Sequence, residues 1–171
     1  MNLFLITSAG IICIGLLIWY ARGRKAGPDP LAAVAGAQVA ASDIPAILAQ
    51  LEASGNEGNF IVFMFAPQDG APGDGINLQY SIEQGVVGFD WVLIGPRNVA
   101  DRDRIAEIAT VLGFQLQERE MNQVRYLRVT GRGIADLGIA IIQDFYRIDP
   151  TAKVRMITEG FEWDPGAPVS S

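Results

Sequence analysis

Three short stretches hold the residue types that could do chemistry. "QDGAPGDG", Gln68 to Gly75, sets Asp69 and Asp74 among glycines, the raw material of a Ca²⁺ loop. The ordered ligand spacing and final glutamate of an EF-hand are missing, so a surface turn explains it as well. "VTGRGIAD", Val129 to Asp136, runs from a strand through Gly131, Arg132 and Gly133 into a helix. Exposed N–H groups at such a junction can hold an anion, and Arg132 could assist. Neither a Walker A nor a full G-x-G-x-x-G is present, so this is a candidate anion site beside an ordinary turn. "EREMNQVRYLR" carries Glu118, Arg119, Glu120, Arg125 and Arg128. Two carboxylates on one strand could serve as acid and base, but cross-strand ion pairs account for the same residues. "GPRNVADRDR" reads likewise, with Asp101 and Asp103 among Arg97, Arg102 and Arg104 as a charged helix entry.

Several chemistries are excluded outright. The 171 residues include no histidine, and the one cysteine is Cys13, within an apolar run. Ser-His-Asp and Cys-His catalysis and Cys/His zinc sites are therefore absent, and no disulfide can form within the chain. No cofactor and no metal site is expected, and no catalytic constellation assembles from the sequence. The formal charge is −6. It is unevenly placed: no lysine or arginine falls between Lys25 and Arg97, whereas Asp29, Asp43, Glu52, Glu57, Asp69, Asp74, Glu83 and Asp90 all do. Such a region repels nucleic-acid phosphates, so nucleic-acid binding is not expected.

The elements that must position these residues begin with an apolar run. Leu3 to Ala21 is uncharged, and as a helix it spans about 28 Å, close to a bilayer core. Only Met1 and Asn2 precede it, and it ends in Trp19 and Tyr20 rather than in the small residues of a cleavage site. Trp19 and Tyr20 suit a membrane interface. Arg22, Arg24 and Lys25 then place the following chain in the cytoplasm by the positive-inside rule. The expectation is a single-pass helix of bacterial inner-membrane type in contact with lipid over residues 3–21, its N-terminus outside and its C-terminal domain cytoplasmic. A buried helix of a water-soluble protein is the alternative. Gly10 and Gly15 lack the G-x-x-x-G spacing of a helix dimer.

The expected divisions are an anchor at 1–22, a linker at 23–42, a domain at 43–164 and a disordered tail at 165–171. The linker is rich in Pro, Gly and Ala, with a helical patch at 31–41. Ser42 or Asp43 should cap a helix whose stripe is Ile44, Ile47, Leu48 and Leu51. "NFIVFMFAP" predicts a strand covered on both faces. "INLQYSIEQG" predicts a half-exposed strand with Leu78, Tyr80 and Ile82 inward, and "VVGFDWVLIGP" another buried strand containing Trp91. Asn98 should cap a helix with stripe Ile105, Ile108, Ala109 and Leu112. A hairpin turns around Met121 and Asn122. A second helix runs from Gly133 to Tyr146, with stripe Ile134, Leu137, Gly138, Ile141, Ile142 and Phe145. "AKVRMITEGFEW" is the last strand.

From Val86 onward the order is β-α-β-β-α-β, the split βαβ of a ferredoxin-like fold. The predicted class is α+β: a two-layer ferredoxin-like domain extended by a helix and two strands, with a mostly antiparallel sheet and helices on one face. A pair of smaller α/β sheets is the alternative. Phe161 and Trp163, near the end of the last strand, are expected either to cap the sheet edge or to form part of a docking surface.

The function expected from these features is a membrane-tethered, non-enzymatic interaction module, an accessory or assembly subunit whose partners are membrane proteins of a larger complex. A small-molecule-sensing domain is the alternative by fold analogy. A carboxylate/metal enzyme would need Asp69, Asp74, Glu118 or Glu120 to converge.

Overall fold

The computed structural model describes residues 36–65, 75–94, 96–121 and 123–166. The expected anchor, the interface residues Trp19, Tyr20, Arg22, Arg24 and Lys25, and the Asp69/Asp74 turn lie outside the described residues. Among the described residues no helix is long and apolar enough to cross a membrane.

The domain is α+β, with a seven-stranded sheet in which every neighbouring pair is antiparallel. In chain order the elements are β1 (Ala37–Ala40), a 3-10 turn (Ala41–Asp43), α1 (Ile44–Ser54), β2 (Phe60–Phe65), β3 (Ile76–Glu83) and β4 (Val86–Val92). Then come α2 (Pro96–Ala100), α3 (Arg102–Val111), β5 (Gln115–Met121), β6 (Val124–Thr130), α4 (Ile134–Ile139) with a π-helical continuation (Ala140–Phe145), and β7 (Lys153–Glu159).

Across the sheet the order is β1-β7-β2-β3-β4-β6-β5. Chain direction follows from the antiparallel pairings. β1 and β2 run parallel with β7 between them, joined by α1. β4 and β5 run parallel with β6 between them, joined by α2 and α3. The meander β2-β3-β4 fills the centre. A four-strand ferredoxin-like sheet would set β7 directly beside β4, whereas here β2 and β3 stand between them.

Four local expectations need correction. The linker expected to run to residue 42, with its helical patch, ends sooner. Ala37 to Ala40 form an edge strand registered against Met156 to Lys153. Its state comes from β7, not from its own Ala/Gly-rich composition. The helix cap expected from Asn98 does not form. α2 begins at Pro96, and Asn98 is buried within it, donating from Nδ2 to the Val92 carbonyl at 2.8 Å. Trp91 is core as expected, its Nε1 bonded to the Asn98 carbonyl at 2.8 Å. At α1, Asp43 makes no cap bond to its own helix; its carboxylate accepts the Ala40 N–H at 2.9 Å. At the other end of the domain, Pro165 and Gly166 are still described. Gly166 donates to Asp164 Oδ1 at 2.8 Å, in a turn where a tail was expected to start.

One core lies between the helices and one sheet face. It contains Ile61, Phe63, Leu78, Tyr80, Phe89, Trp91, Val129 and Val154 from strands, and Ile44, Ile47, Leu48, Ile105, Leu137 and Ile141 from helices. On the opposite face two smaller clusters form from strand residues and their flanks: Phe60 and Val62 with Met64 and Ile157, and Val92, Val124 and Tyr126 with Ile94 and Met121. β2 is thus covered on both faces, as its unbroken apolar run predicts. No described helix contributes to either smaller cluster.

The β3–β4 hairpin turns on Gln84 (φ 55°) and Gly85 (φ 72°), two left-handed residues as a tight primed turn requires. Glu57 braces it, its carboxylate accepting the N–H groups of Gln84 at 2.9 Å and Gly85 at 3.0 Å. A Cβ on Gly85 meets no atom within 4 Å, so Gly85→Ala carries backbone strain alone. The expected cost is about 1 kcal/mol in urea unfolding; an unchanged midpoint would mean the turn relaxes.

Candidate functional site

Two features of the domain stand out chemically: a buried ion-pair network on the second sheet face, and an open groove on the helical layer.

The network centres on Arg128 and Asp90, each 2% exposed and directly opposite in the β4–β6 register. Arg128 Nη1 lies 2.9 Å from both Asp90 oxygens and 2.6 Å from Ser81 Oγ. Its Nη2 donates to the carbonyls of Ser81 at 3.2 Å and Val86 at 3.1 Å. Ser81 in turn donates to Asp90 Oδ2 at 2.6 Å. Gly88 makes room for this, since a methyl group there would overlap the guanidinium. On the rim Arg119 bonds Glu83 at 2.5 Å beside Tyr126. Burial first, then the charges of Glu83 and Asp90, push the Tyr126 hydroxyl pKa up. Gln79, next in line with Asp90 across β3, is also buried, so β3 is less exposed on this face than its alternation implies. Both terminal nitrogens of Arg128 and both Asp90 oxygens are bonded within the domain, and Arg128 Nε stands 3.8 Å from Glu83 Oε2, which makes the pair a structural device.

Burial pushes the Asp90 carboxyl up from 3.8 to about 6, against the opposing pull of Arg128 and Ser81. The folded chain therefore holds this proton where the unfolded chain has released it. The contribution of Asp90 to stability is greatest below 3.8 and falls as pH rises to about 6. Urea unfolding between pH 4 and 7 should show wild type losing on the order of 1–3 kcal/mol relative to Asp90→Asn as pH rises. A relative gain instead would mean that attraction to Arg128 outweighs burial.

The groove lies between α3 and the π-helical end of α4. Ile108, Val111, Leu112, Ala140 and Phe145 supply its apolar lining, and its volume is about 290 Å³. Arg104, Glu107 and Asp144 stand at its rim. Val111 and Leu112 are 79% and 47% exposed. The π-helical turn shapes one wall. Tyr146 N–H bonds the Ile141 carbonyl at 3.0 Å and Ile148 N–H the Ile142 carbonyl at 2.7 Å, wider closures than an α-helix makes. The extra width moves Tyr146 onto the buried side and leaves Phe145, expected in the core stripe, half-buried at the groove. Tyr146 then donates to Asp101 Oδ2 at 2.6 Å, tying the end of the π-turn to the start of α3.

The remaining candidates are dispersed. Glu118 is held by Arg102 of α3 and, diagonally across the β5–β6 hairpin, by Arg125 at 3.0 Å; only the second is the cross-strand pairing expected. Glu120 is exposed, and the register sets Arg125 opposite it. Arg102 and Arg104 bond Asp103 and Glu107, an ordinary charged helix surface. At Gly131-Arg132-Gly133, Gly133 is left-handed (φ 72°) and Arg132 exposed, but Asp136 already sets its carboxylate over this turn, 2.9 Å from where a Gly133 Cβ would stand. A bound anion would face that carboxylate. Phe161 is buried in the main core, while Trp163 packs half-buried against it. The ring of Phe161 thus has little surface to offer a partner, since the end of β7 turns it back onto the core.

Sequence reasoning missed both the network and the groove. The available signals were an aspartate inside an apolar strand, which needs a buried partner, and a glycine two residues before it. Neither a protein-family model, nor a curated protein, nor a solved structure matches the chain.

Proposed function

We propose that the chain is a membrane-tethered, non-enzymatic interaction module, an accessory or assembly subunit standing beside a larger membrane complex. In this reading residues 3–21 anchor it in a bacterial inner membrane, Trp19 and Tyr20 sit at the interface, and Arg22, Arg24 and Lys25 hold the domain on the cytoplasmic side. The domain is ferredoxin-like from β4 onward, elaborated by the β2–β3 hairpin lodged between β4 and β7. The observation that carries the reading is how the domain uses its side chains. Glu83, Asp90, Asp101 and Glu118 are bonded to residues of the domain itself, while the apolar Val99, Val111 and Leu112 stand exposed on the helical layer. Exposed apolar side chains beside a groove suit protein contacts. Paired carboxylates are poorly placed for acid/base work.

Affinity purification of the full-length protein from membranes in mild detergent is expected to retain a membrane protein at fixed ratio. A reporter active only in the cytoplasm, fused after Ser171, is expected to be active. Purification alone, with no partner captured by crosslinking in native membranes, would overturn the module reading; a silent cytoplasmic reporter would overturn the orientation.

A further inference from the structure

We propose that the groove between α3 and the π-helical end of α4 is the docking site for an amphipathic helix of the partner protein, one with a lysine or arginine beside its apolar stripe. This rests on the reading of the domain as an interaction module and adds the surface and the kind of partner.

Four observations carry it. First, Val111 and Leu112 are exposed side by side, and with Ile108 and Phe145 they frame one hollow. Single exposed apolar residues are ordinary, but a contiguous group around a concavity marks a contact surface. Second, the hollow of about 290 Å³ is an open trough between two helices. That is at the lower edge of the usual range for a small-ligand pocket, and the open shape suits a few apolar side chains offered at i, i+3 and i+4 by a helix laid along it.

Third, the rim selects charge. Glu107 is engaged by Arg104 at 2.5 Å, while the Asp144 carboxylate is exposed and makes no hydrogen bond or ion pair with any described residue. The chain as a whole is acidic, with a formal charge of −6. A cationic side chain on the incoming helix would meet Asp144 and be steered by that field, whereas a second copy of this acidic chain would be repelled. Fourth, the π-turn sits at this groove. A plain α-helix would place Phe145 in the core stripe. The wider turn instead exchanges it for Tyr146 and leaves Phe145 as a wall, and π-turns recur where a helix is shaped for function.

The test uses the full-length protein in detergent micelles and two labelled synthetic peptides. Both carry leucines at i, i+3, i+4 and i+7; one is flanked by lysines and the other by glutamates. Fluorescence anisotropy at near-physiological salt is expected to show binding of the lysine peptide, with the glutamate peptide at least about tenfold weaker. Val111→Asp should weaken the lysine peptide by about tenfold or more, and Asp144→Asn by a few-fold. Both positions are exposed, and an unchanged melting curve confirms that each variant is folded.

Val111→Asp makes the chain more acidic, so nonspecific attraction predicts tighter binding where groove docking predicts weaker. Unchanged or tighter binding by that variant overturns the proposal. So does equal binding of the two peptides, or no binding of either. A dimer in sedimentation that Val111→Asp dissolves would also overturn it, by naming a second copy as occupant. Any of these outcomes leaves the module reading to its own test, capture of a partner from membranes. That reading fails independently if no partner is found.

Discussion

Arg128→Met is expected to destabilise the domain by about 3–5 kcal/mol, measured by urea unfolding at pH 7. The substitution keeps an apolar stem but strips Asp90, Ser81 Oγ and the carbonyls of Ser81 and Val86 of their shared donor. A buried carboxylate without its counter-charge bears most of that cost. Two further results distinguish this cause from simple loss of packing. The penalty should shrink on acidification, because a protonated Asp90 no longer needs a cation. The double variant Arg128→Met/Asp90→Leu should recover much of the loss, though not all, since the two carbonyls remain unpaired. A penalty independent of pH and unrelieved in the double variant would show that packing around the arginine stem matters more than its charge.

Gly138→Ala is expected to cost about 1–3 kcal/mol despite alanine's better helix propensity. A methyl group at this position of α4 would overlap the Tyr80 hydroxyl. That hydroxyl is fully buried and has no hydrogen-bond partner among the described residues. Burial alone pushes its pKa well above the usual phenol range. Tyr80→Phe should therefore be neutral or stabilising by about 1 kcal/mol, because it removes an unpaired polar atom while keeping the ring contacts with Phe63 and Phe89. In that background Gly138→Ala should become nearly free. Additive effects in the double-mutant cycle would place the clash elsewhere.

Much of the architecture is legible in the sequence. The alternation of Leu78, Tyr80 and Ile82 and the spacing of Ile105 and Ala109 each report one buried face, and one face is enough to fix an element's type. The order of strands and helices from Val86 could be read because they follow one another along the chain. The insertion of β2 and β3 between β7 and β4 could not, because strand order is set by pairings between distant segments. For the same reason β1 was missed: four residues of alanine, glutamine and valine become a strand only beside β7. The partner of Asp90 depends on the β4–β6 register, which no local pattern encodes. The π-turn was hidden too, since over a few residues a period of 3.6 and a slightly longer one select almost the same stripe. Ile141 and Ile142 suit both, and only the exchange of Phe145 for Tyr146 tells them apart.

The place of β7 inside the sheet sets an order of events. It pairs with β1 on one side and β2 on the other, yet it is synthesised after both. The central meander β2-β3-β4 can assemble from near neighbours as the chain emerges, and so it supplies the low-contact-order part of the domain. Until β7 arrives, "FIVFMF" presents an unpaired, uncharged and strongly apolar edge, the kind of segment that joins other chains. The final strand is thus the seal on the aggregation-prone edge of β2. A chain halted before Lys153 would carry that edge bare, so synthesis to the end of β7 protects this domain as much as any contact in its finished core.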